Sequence, residues 1–376
     1  MRYTETLVTT NTKFRMSLLQ PLVDLHTNRG AVLKTVGDRF QALRYGNRLE
    51  PEINPILHGC GVLDLQIRPL IEVKGPDASR FLHGLLTNDI VGLPCGRWQP
   101  NLFCGSKGKI KQRLEVLKLA AECFVICCEA EAGIAVGTLL DHYLVREDVT
   151  LAFLSREQIR MDLFGSKSTV ALHRLGIPEQ ACTGSFGEFE FHAAPVPWGT
   201  QTRWGCLLPI AGAAEWLASV LNSDPECNLV GTEAVDAMRI AEGLPRPGND
   251  FGPENFPQEA ALGDHISYTK GCYIGQEPHA RMFHRGHPNW QLVGLRIPES
   301  VKAAAGAPLL HDGNEIGRLT SVSPITQDGM RAALGCVRHA IAEAQNPVTL
   351  ESGRVELTPF PLPNTIRRAV PETKSS

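Results

Sequence analysis

The clearest pattern in the chain is an apolar stripe that follows Gly75-Pro76-Asp77. Apolar residues recur there at the spacing of one helix face, at Ala78, Phe81, Leu82, Leu85 and Leu86. This spacing predicts an amphipathic helix that ends at Thr87-Asn88-Asp89. Apolar periodicity predicts further helices over residues 132–143, 214–221 and 232–241, with a short one around Val170. Strands are predicted over residues 65–73, 110–117, 123–128, 149–154 and 159–164.

These helices and strands mix without a regular βαβ alternation, and no Gly-rich phosphate loop occurs among them. The pattern therefore predicts an α+β domain with antiparallel sheets. After Trp290 the chain changes to short strands over residues 292–297, 315–322, 331–337 and 348–357. Asp312-Gly313-Asn314 is the clearest hairpin turn among them. We expect a flexible N-terminus (1–18), a main domain (19–288), a small barrel-like β domain (289–362) and a disordered tail (363–376).

Charge and composition exclude several classes of function. The 376 residues are 43% hydrophobic and 20% charged, as in an ordinary soluble globular protein. Lys and Arg number 37 against 40 for Asp and Glu, a net charge of -3, which predicts no general affinity for nucleic acid or membranes. Arg2, Lys13 and Arg15 give the N-terminus a faint likeness to a transit peptide, although a frayed terminus is favoured. We expect a cytoplasmic protein, with the mitochondrial matrix as the alternative.

The eleven cysteines do not predict a disulfide framework. Their number is odd, the chain is long and no C-x-x-C pair occurs, so we expect reduced thiols and no zinc or cluster cage. Cys127 and Cys128 fall on opposite faces of a predicted strand, so they cannot share a ligand site. His279, His284 and His287 lack the i, i+4 spacing of helical metal sites. We therefore assign no metal.

The run Lys270-Gly271-Cys272-Tyr273-Ile274-Gly275-Gln276-Glu277 is the strongest candidate for chemistry. A helix is predicted to start near Gly275, with Pro278 in its first turn. A thiol between a lysine and a helix N-terminus is expected to be more reactive than a core cysteine, because both favour the thiolate. His279 is a candidate acceptor for its proton. A buried small side chain at a tight turn is the alternative, and spacing alone leaves both interpretations open.

With Arg281, this run resembles the K-G-C-Y-x-G-Q-E signature of the YgfZ-type folate-binding proteins, a branch of the superfamily of the glycine-cleavage aminomethyltransferase. Weaker matches follow in the family's order at residues 61–65, 73–78, 85–89, 140–146, 239–245 and 317–321. The resemblance implies a GcvT-like folate-binding domain followed by a small C-terminal β-barrel, with tetrahydrofolate or a derivative as cofactor.

The resemblance also implies residues of the folate site. Glu242, in the R-x-x-E-G-x-P segment, would accept hydrogen bonds from the pterin amine and ring N–H, since a carboxylate can take both at once. The alternative is an exposed glutamate that interacts with Arg239. Asn88 and Asp89 are expected to cap a helix end and also to line the folate cavity. Gln276 and Arg281 are expected to contact the folate.

One departure from the aminomethyltransferase pattern concerns its catalytic aspartate. In the segment 108–114 of this chain Gln112 and Arg113 stand where that carboxylate belongs, and the next acid is Glu115. Without a carboxylate to activate folate, glycine cleavage is not expected. Lys107 and Lys109 could meet a folate tail or a phosphate, although a solvated basic turn is favoured.

The function implied by the resemblance is assembly or repair of iron–sulfur clusters in particular enzymes, including radical enzymes that modify tRNA. Cys272 and Lys270 would act in it, with iron–sulfur carrier or client proteins as partners. One alternative is a folate-dependent aminomethyl or methyl transferase, and another is a non-enzymatic folate-sensing module. The sequence does not decide whether the chain is an enzyme.

Overall fold

The computed structural model describes residues 12–177, 183–351, 356–357 and 359–362. Within them the helices are α1 (Thr12–Asn28), α2 (Glu50–Leu57), α3 (Ala78–Leu85), α4 (Gly133–Tyr143), α5 (Ser168–Arg174), α6 (Ile210–Ser223), α7 (Thr232–Ala241), α8 (Gln276–Arg285) and α9 (His339–Glu343). Short 3-10 turns cover Leu154–Arg156 and Gly263–His265. In this described part, no helix is both long and apolar enough to cross a membrane.

The strands in the first two thirds of the chain are β1 (Ala31–Val36), β2 (Arg39–Tyr45), β3 (Cys60–Asp64), β4 (Leu70–Lys74), β5 (Arg97–Cys104), β6 (Ile110–Ala120), β7 (Cys123–Cys128), β8 (Thr150–Phe153), β9 (Gln158–Phe164), β10 (Thr183–Phe186), β11 (Phe189–Pro195), β12 (Arg203–Pro209) and β13 (Cys227–Leu229). The remaining strands are β14 (Trp290–Pro298), β15 (Pro308–His311), β16 (Asn314–Gln327), β17 (Met330–Arg338), β18 (Val348–Leu350), β19 (Glu356–Leu357) and β20 (Phe360–Pro361).

The chain forms two compact units that alternate along the sequence. The first unit consists of Met1–Phe81, Val91–Gln99 and Leu114–Asp236, and the second consists of Leu82–Ile90, Pro100–Arg113 and Ala237–Ser376. Neither unit begins or ends at the predicted boundary between residues 288 and 289, so that boundary stays a prediction. Of the predicted flexible N-terminus, residues 1–11 lie outside the described residues and 12–18 belong to α1. The predicted tail, 363–376, also lies outside them.

The sheets are almost wholly antiparallel, as the sequence predicted. A six-stranded sheet in the first unit has the order β10-β11-β12-β9-β3-β13, and only its β13–β3 pair is parallel. A five-stranded sheet has the order β5-β6-β7-β4-β8. In the second unit a curled C-terminal sheet has the order β19-β18-β15-β16-β17-β14-β20. The predicted α+β class is therefore confirmed.

Local sequence explains two of the confirmed elements. The predicted apolar stripe is buried on α3 and the residue after it, since Ala78, Leu82 and Leu86 have no exposed surface. The hairpin between β15 and β16 turns at Asp312 and Gly313, which have φ angles of 48° and 78°. Positive φ at both positions is the geometry of a tight hairpin turn, which aspartate and glycine tolerate best. Both predictions succeeded because the signal lies within a few consecutive residues.

The predicted strand 65–73 is wrong in its first half, because β4 begins only at Leu70. The Asp64 carboxylate accepts the Gln66 N–H at 2.9 Å, and the Leu65 carbonyl accepts the Arg68 N–H at 2.8 Å. These local bonds make a turn instead of a ladder. Strand β12 was not predicted, since its residues are buried on both faces and show no alternation.

Candidate functional site

The end of α3 is held by the side chain of Lys270. Its ammonium donates to the carbonyl oxygens of His83 at 2.5 Å, Leu86 at 2.7 Å and Asn88 at 2.9 Å. An ammonium has three donors, so all three are used. Helix-terminal carbonyls lack partners inside the helix, and a lysine here satisfies them. Lys270 thus joins the cysteine-containing run to α3.

Two polar residues that follow α3, Thr87 and Asn88, also bind segments distant in sequence. The buried Thr87 hydroxyl donates to the His265 carbonyl at 2.6 Å and accepts the Leu102 N–H at 3.0 Å. The Asn88 amide group donates to the carbonyls of Pro100 at 3.0 Å and Asp264 at 2.9 Å. These bonds join the Asn88 side chain to other segments of the second unit and not to the carbonyls of α3, so the capping role expected for Asn88 and its contact with folate both stay predictions.

Lys270 is partly buried, and burial disfavours the charged form of its side chain. Desolvation lowers the pKa of Lys270 to about 8, against a smaller opposing effect of the Asp89 carboxylate. Asp89 itself is partly exposed and lies 3.3 Å from the His83 ring. The sequence anticipated Lys270 as a catalytic neighbour of the thiol. Its ammonium has a structural role that was not anticipated, and a catalytic role stays a prediction.

Cys272 is exposed, two residues after Lys270. Of the ten cysteines in the described part of the chain, all are free thiols and only Cys95 is also exposed. Burial raises the pKa of Cys104 to about 12 and also raises that of Cys127. The alternative that Cys272 is a buried packing residue is therefore wrong.

Helix α8 begins directly after this thiol and is fixed to the turn before β6. Its N-cap, Gly275, has a φ of 81°, and a Cβ there would lie 2.3 Å from the Gly105 carbonyl oxygen. Only glycine fits both the conformation and the space. Gln276 accepts the Tyr273 N–H at 3.1 Å, which closes the turn between the thiol and α8. Arg281 lies exposed on α8. Folate contacts of Gln276 and Arg281 stay predictions.

His279 anchors the same turn from the buried side of α8. It is fully buried, with Nε2 2.7 Å from the Gly108 carbonyl oxygen and Nδ1 3.0 Å from the Tyr273 hydroxyl. A carbonyl only accepts, so Nε2 carries the hydrogen and Nδ1 accepts from the hydroxyl. Desolvation lowers the pKa of His279, which keeps it neutral. No lone pair remains for Cys272, so the hypothesis that His279 accepts its proton is wrong.

Arg113 lies in the segment where the resemblance expects the family's catalytic carboxylate. The Arg113 guanidinium donates through Nε to His265 Nε2 at 3.3 Å. Nearby in sequence, Lys109 donates to the Glu254 carbonyl and lies over the Phe256 ring, 4.0 Å from its centroid. Lys109 is thus held by the protein, and Lys107 is exposed to solvent.

Glu115, the next acid in the chain, belongs to a buried ion network of the first unit. It accepts from Arg160 Nη1 at 2.6 Å and from Arg203 Nη1 at 3.1 Å, and the same two arginines bind Asp162. Removing one member would leave an uncompensated buried charge. Glu115 is therefore a structural residue and does not replace the missing carboxylate.

Glu242 follows α7 in the second unit. The next residue, Gly243, has a φ of 71°, and the Leu244 N–H donates to the Arg239 carbonyl at 2.8 Å. This turn leaves the Glu242 side chain half-buried. The Arg239 guanidinium binds the Asp250 carboxylate and donates to the Ser321 hydroxyl at 2.9 Å. A pterin contact of Glu242 stays a prediction.

Residues 22–270 match the family described as the GCVT N-terminal domain. The chain belongs to this family. A relative from Desulfitobacterium hafniense (strain DSM 10664 / DCB-2), named aminomethyltransferase, is 26% identical and aligns over 84% of this chain and 89% of its own. The Symbiobacterium thermophilum aminomethyltransferase is 24% identical over 90% and 96%.

The fold also matches that of a solved GCVT-family structure. The glycine cleavage system aminomethyltransferase T from Bartonella henselae superposes with a TM-score of 0.80 over 93% of this chain and 98% of its own, at 24% identity. These comparisons confirm the GcvT-like superfamily and agree with tetrahydrofolate as the expected cofactor. The names of the relatives support the transferase alternative more directly than the iron–sulfur interpretation.

The polar groups of the second unit are of the kinds that a reduced pterin needs. A tetrahydropterin presents an exocyclic amine and ring N–H groups, which require acceptors, and a carbonyl that requires a donor. Glu242 and Asp264 supply carboxylates, and Arg113 supplies N–H donors. Sequence reasoning missed Asp264 and His265, although an acid next to a histidine, shortly before the cysteine run, was visible in the sequence.

Proposed function

We propose that this chain is a tetrahydrofolate-binding protein of the YgfZ-type branch that assists assembly or repair of iron–sulfur clusters in specific enzymes, through Cys272. The observation that carries the proposal is the state of this thiol. It is exposed in a segment whose neighbours on both sides are fixed, by Lys270 to α3 and by His279 to the turn before β6. Such a thiol is presented to a partner at little cost in conformational entropy.

Folate binding is supported by the family and by the carboxylates described above. Loss of the catalytic carboxylate argues against turnover of that folate in glycine cleavage. Gln112 cannot accept a proton as a carboxylate does, and Arg113 carries the opposite charge. Bound folate would then orient the protein or act as a ligand that the protein senses, while the chemistry of the cluster takes place at the protein surface.

The partner would be a protein with an acidic surface. Three exposed basic residues lie on the segments that hold this part of the chain: Lys107 and Lys111 flank the turn that His279 binds, and Arg285 lies at the end of α8. The net charge of the chain is only -3, so these three basic residues, rather than the charge of the whole chain, would orient an acidic partner. A lone thiol provides one ligand to a cluster, and the carrier or client enzyme would provide the others.

A rescue assay tests the proposal. Cells that lack the protein are supplied with the wild type, Cys272→Ser or the control Cys95→Ser, and the activities of their [4Fe–4S] enzymes are measured. We expect rescue by the wild type and by Cys95→Ser but not by Cys272→Ser, with equal protein levels. Full rescue by Cys272→Ser would refute the thiol mechanism and favour the folate-sensing module.

A folate-dependent aminomethyl or methyl transferase is the second candidate, because the relatives named above are aminomethyltransferases. It is distinguished by turnover. A purified protein that converts an aminomethylated carrier protein and tetrahydrofolate to methylenetetrahydrofolate is a transferase, whatever Cys272 does.

A further inference from the structure

An acid and a histidine, adjacent in the 3-10 turn Gly263–His265, form a dyad with a fixed hydrogen-bond direction. His265 Nδ1 lies 2.5 Å from Asp264 Oδ1, and His265 Nε2 lies 3.3 Å from Arg113 Nε. The Arg113 Nε–H can only donate, so His265 Nε2 accepts it. Nδ1 therefore carries the hydrogen and donates it to the Asp264 carboxylate. Arg113, which stands in place of the family's carboxylate, is thus linked to another carboxylate through one imidazole ring.

The backbone of the dyad is held from the end of α3. The Asn88 amide group donates to the Asp264 carbonyl at 2.9 Å, and the Thr87 hydroxyl donates to the His265 carbonyl at 2.6 Å. Both donors belong to the second unit, as does the dyad. Hydrogen bonds from two side chains therefore fix the backbone from which the Asp264 carboxylate extends.

The two members of the dyad differ in accessibility. The His265 side chain is 5% exposed, whereas that of Asp264 is 36% exposed. Desolvation raises the pKa of the Asp264 carboxyl, but the hydrogen bond from His265 and the positive charge of Arg113 oppose it, and the pKa lies below its usual value. The dyad therefore presents an oriented, ionised carboxylate that a ligand can reach.

We propose that Asp264 is a second carboxylate, besides Glu242, that contacts the pterin in this chain, and that it selects the reduced over the oxidised form. The inference rests on the proposed folate binding. In a tetrahydropterin, N5 and N8 carry hydrogens and donate. In the fully oxidised pterin the same nitrogens carry lone pairs and accept. An ionised carboxylate only accepts, so it attracts the first arrangement and repels the second. A site with the Asp264 carboxylate and the Arg113 guanidinium near the ring would thus bind the reduced cofactor without a carboxylate at position 112 or 113.

Calorimetric titration of two ligands tests this selection. Tetrahydrofolate, under anaerobic conditions, and folic acid are each titrated into the wild type, Asp264→Asn and Asp312→Asn. Asp312→Asn is the matched control, since it makes the same chemical change as Asp264→Asn but at a side chain that is 88% exposed. We expect the wild type and the control to prefer tetrahydrofolate. In Asp264→Asn the ratio of the two dissociation constants should fall about tenfold or more, the scale of a charged hydrogen bond, because an amide accepts and donates.

The outcomes separate this inference from the function on which it rests. If the wild type binds neither ligand, the proposed folate binding is wrong, and the inference with it. If the wild type binds tetrahydrofolate and Asp264→Asn keeps the same ratio, folate binding stands and Asp264 has no part in selection.

If circular dichroism shows that Asp264→Asn is unfolded, Asp264→Glu replaces it. This variant keeps the charge but moves it by one methylene, and it should retain the preference for the reduced form while binding it more weakly. An affinity equal to that of the wild type would overturn the proposal.

Discussion

The Lys270 ammonium donates a 2.9 Å hydrogen bond to the carbonyl oxygen of Asn88, a residue 182 positions earlier in the chain. Together with the bonds to His83 and Leu86, it satisfies the end of α3 with one side chain. Lys270 therefore has a structural role in addition to any chemical role. This structural role leads to a prediction about stability.

Replacement of Lys270 by Met should destabilise the protein by about 1.5–3 kcal/mol, the cost of losing hydrogen bonds to a charged group. Three carbonyls lose their donor, while the apolar part of the side chain is kept. Urea denaturation followed by circular dichroism measures the free energy of unfolding. Lys107→Met is the control, because Lys107 is exposed and its replacement should change stability by less than about 0.5 kcal/mol. Equal stabilities of the two variants would show that the bonds contribute nothing net.

Glu242→Gln should weaken tetrahydrofolate binding by about 1.5–3 kcal/mol, because the carboxylate expected to accept from two pterin N–H groups is replaced by a weaker acceptor. Isothermal titration calorimetry measures the difference. Glu254→Gln serves as the control, since Glu254 is exposed in the same unit. If Glu242→Gln binds as tightly as the wild type, Glu242 does not belong to the folate site.

Purified protein should show no glycine-cleavage activity above background. The resemblance places Gln112 and Arg113 where the transferases carry their catalytic carboxylate, and general acid–base catalysis contributes typically about 10²–10⁴-fold to such steps. The assay supplies an aminomethylated carrier protein and tetrahydrofolate and follows methylenetetrahydrofolate. Robust turnover by the wild type would contradict the proposed YgfZ-type function and favour the transferase alternative.

Limiting iodoacetamide at neutral pH should label Cys272 first. The thiol is exposed next to the N-terminus of α8, whereas burial raises the pKa of Cys104 and Cys127 and shields them from the reagent. Peptide mass mapping after short reaction times gives the order. Cys95, which is also exposed, is the internal comparison. Labelling of a buried strand cysteine before Cys272 would contradict the exposure described here.

The protein should lose stability as the pH falls below about 6.5, and His279 should contribute to the loss. Burial lowers the pKa of His279 in the folded state, so the unfolded chain binds the proton at a higher pH than the folded one. Protonation therefore favours unfolding. Denaturation midpoints at pH 7.5 and pH 5.5 should differ less for His279→Gln than for the wild type. His284→Gln, an exposed change on the same helix, should behave like the wild type.

The parts of the fold that the sequence predicted are those with short-range signals. The stripe on α3 and the turn at Asp312-Gly313 each lie within a few consecutive residues, and both are confirmed. Strand β12 was missed because burial on both faces removes alternation. Strand β4 was predicted to start too early, because the pattern does not show that the Asp64 carboxylate captures a backbone N–H.

At the candidate site the sequence identified residues but not their partners. It singled out Cys272 and Lys270, yet it gave no sign of the bonds from Lys270 to the end of α3, which span more than 180 positions. It also assigned His279 to Cys272, whereas the ring is engaged by Gly108 and Tyr273. Pairings across such separations depend on the assembled fold, and periodicity carries no information about them.

The alternating order of the two units has a consequence for synthesis in the cell. The end of α3 emerges from the ribosome long before Lys270, the residue that satisfies its carbonyls. At about 5–20 residues per second, the 182 intervening positions take about 10 to 40 s. During that interval part of the structure that surrounds Leu82, Leu85 and Leu86 has not yet been synthesised. The nascent chain is therefore expected to need chaperone protection until the cysteine run has been translated.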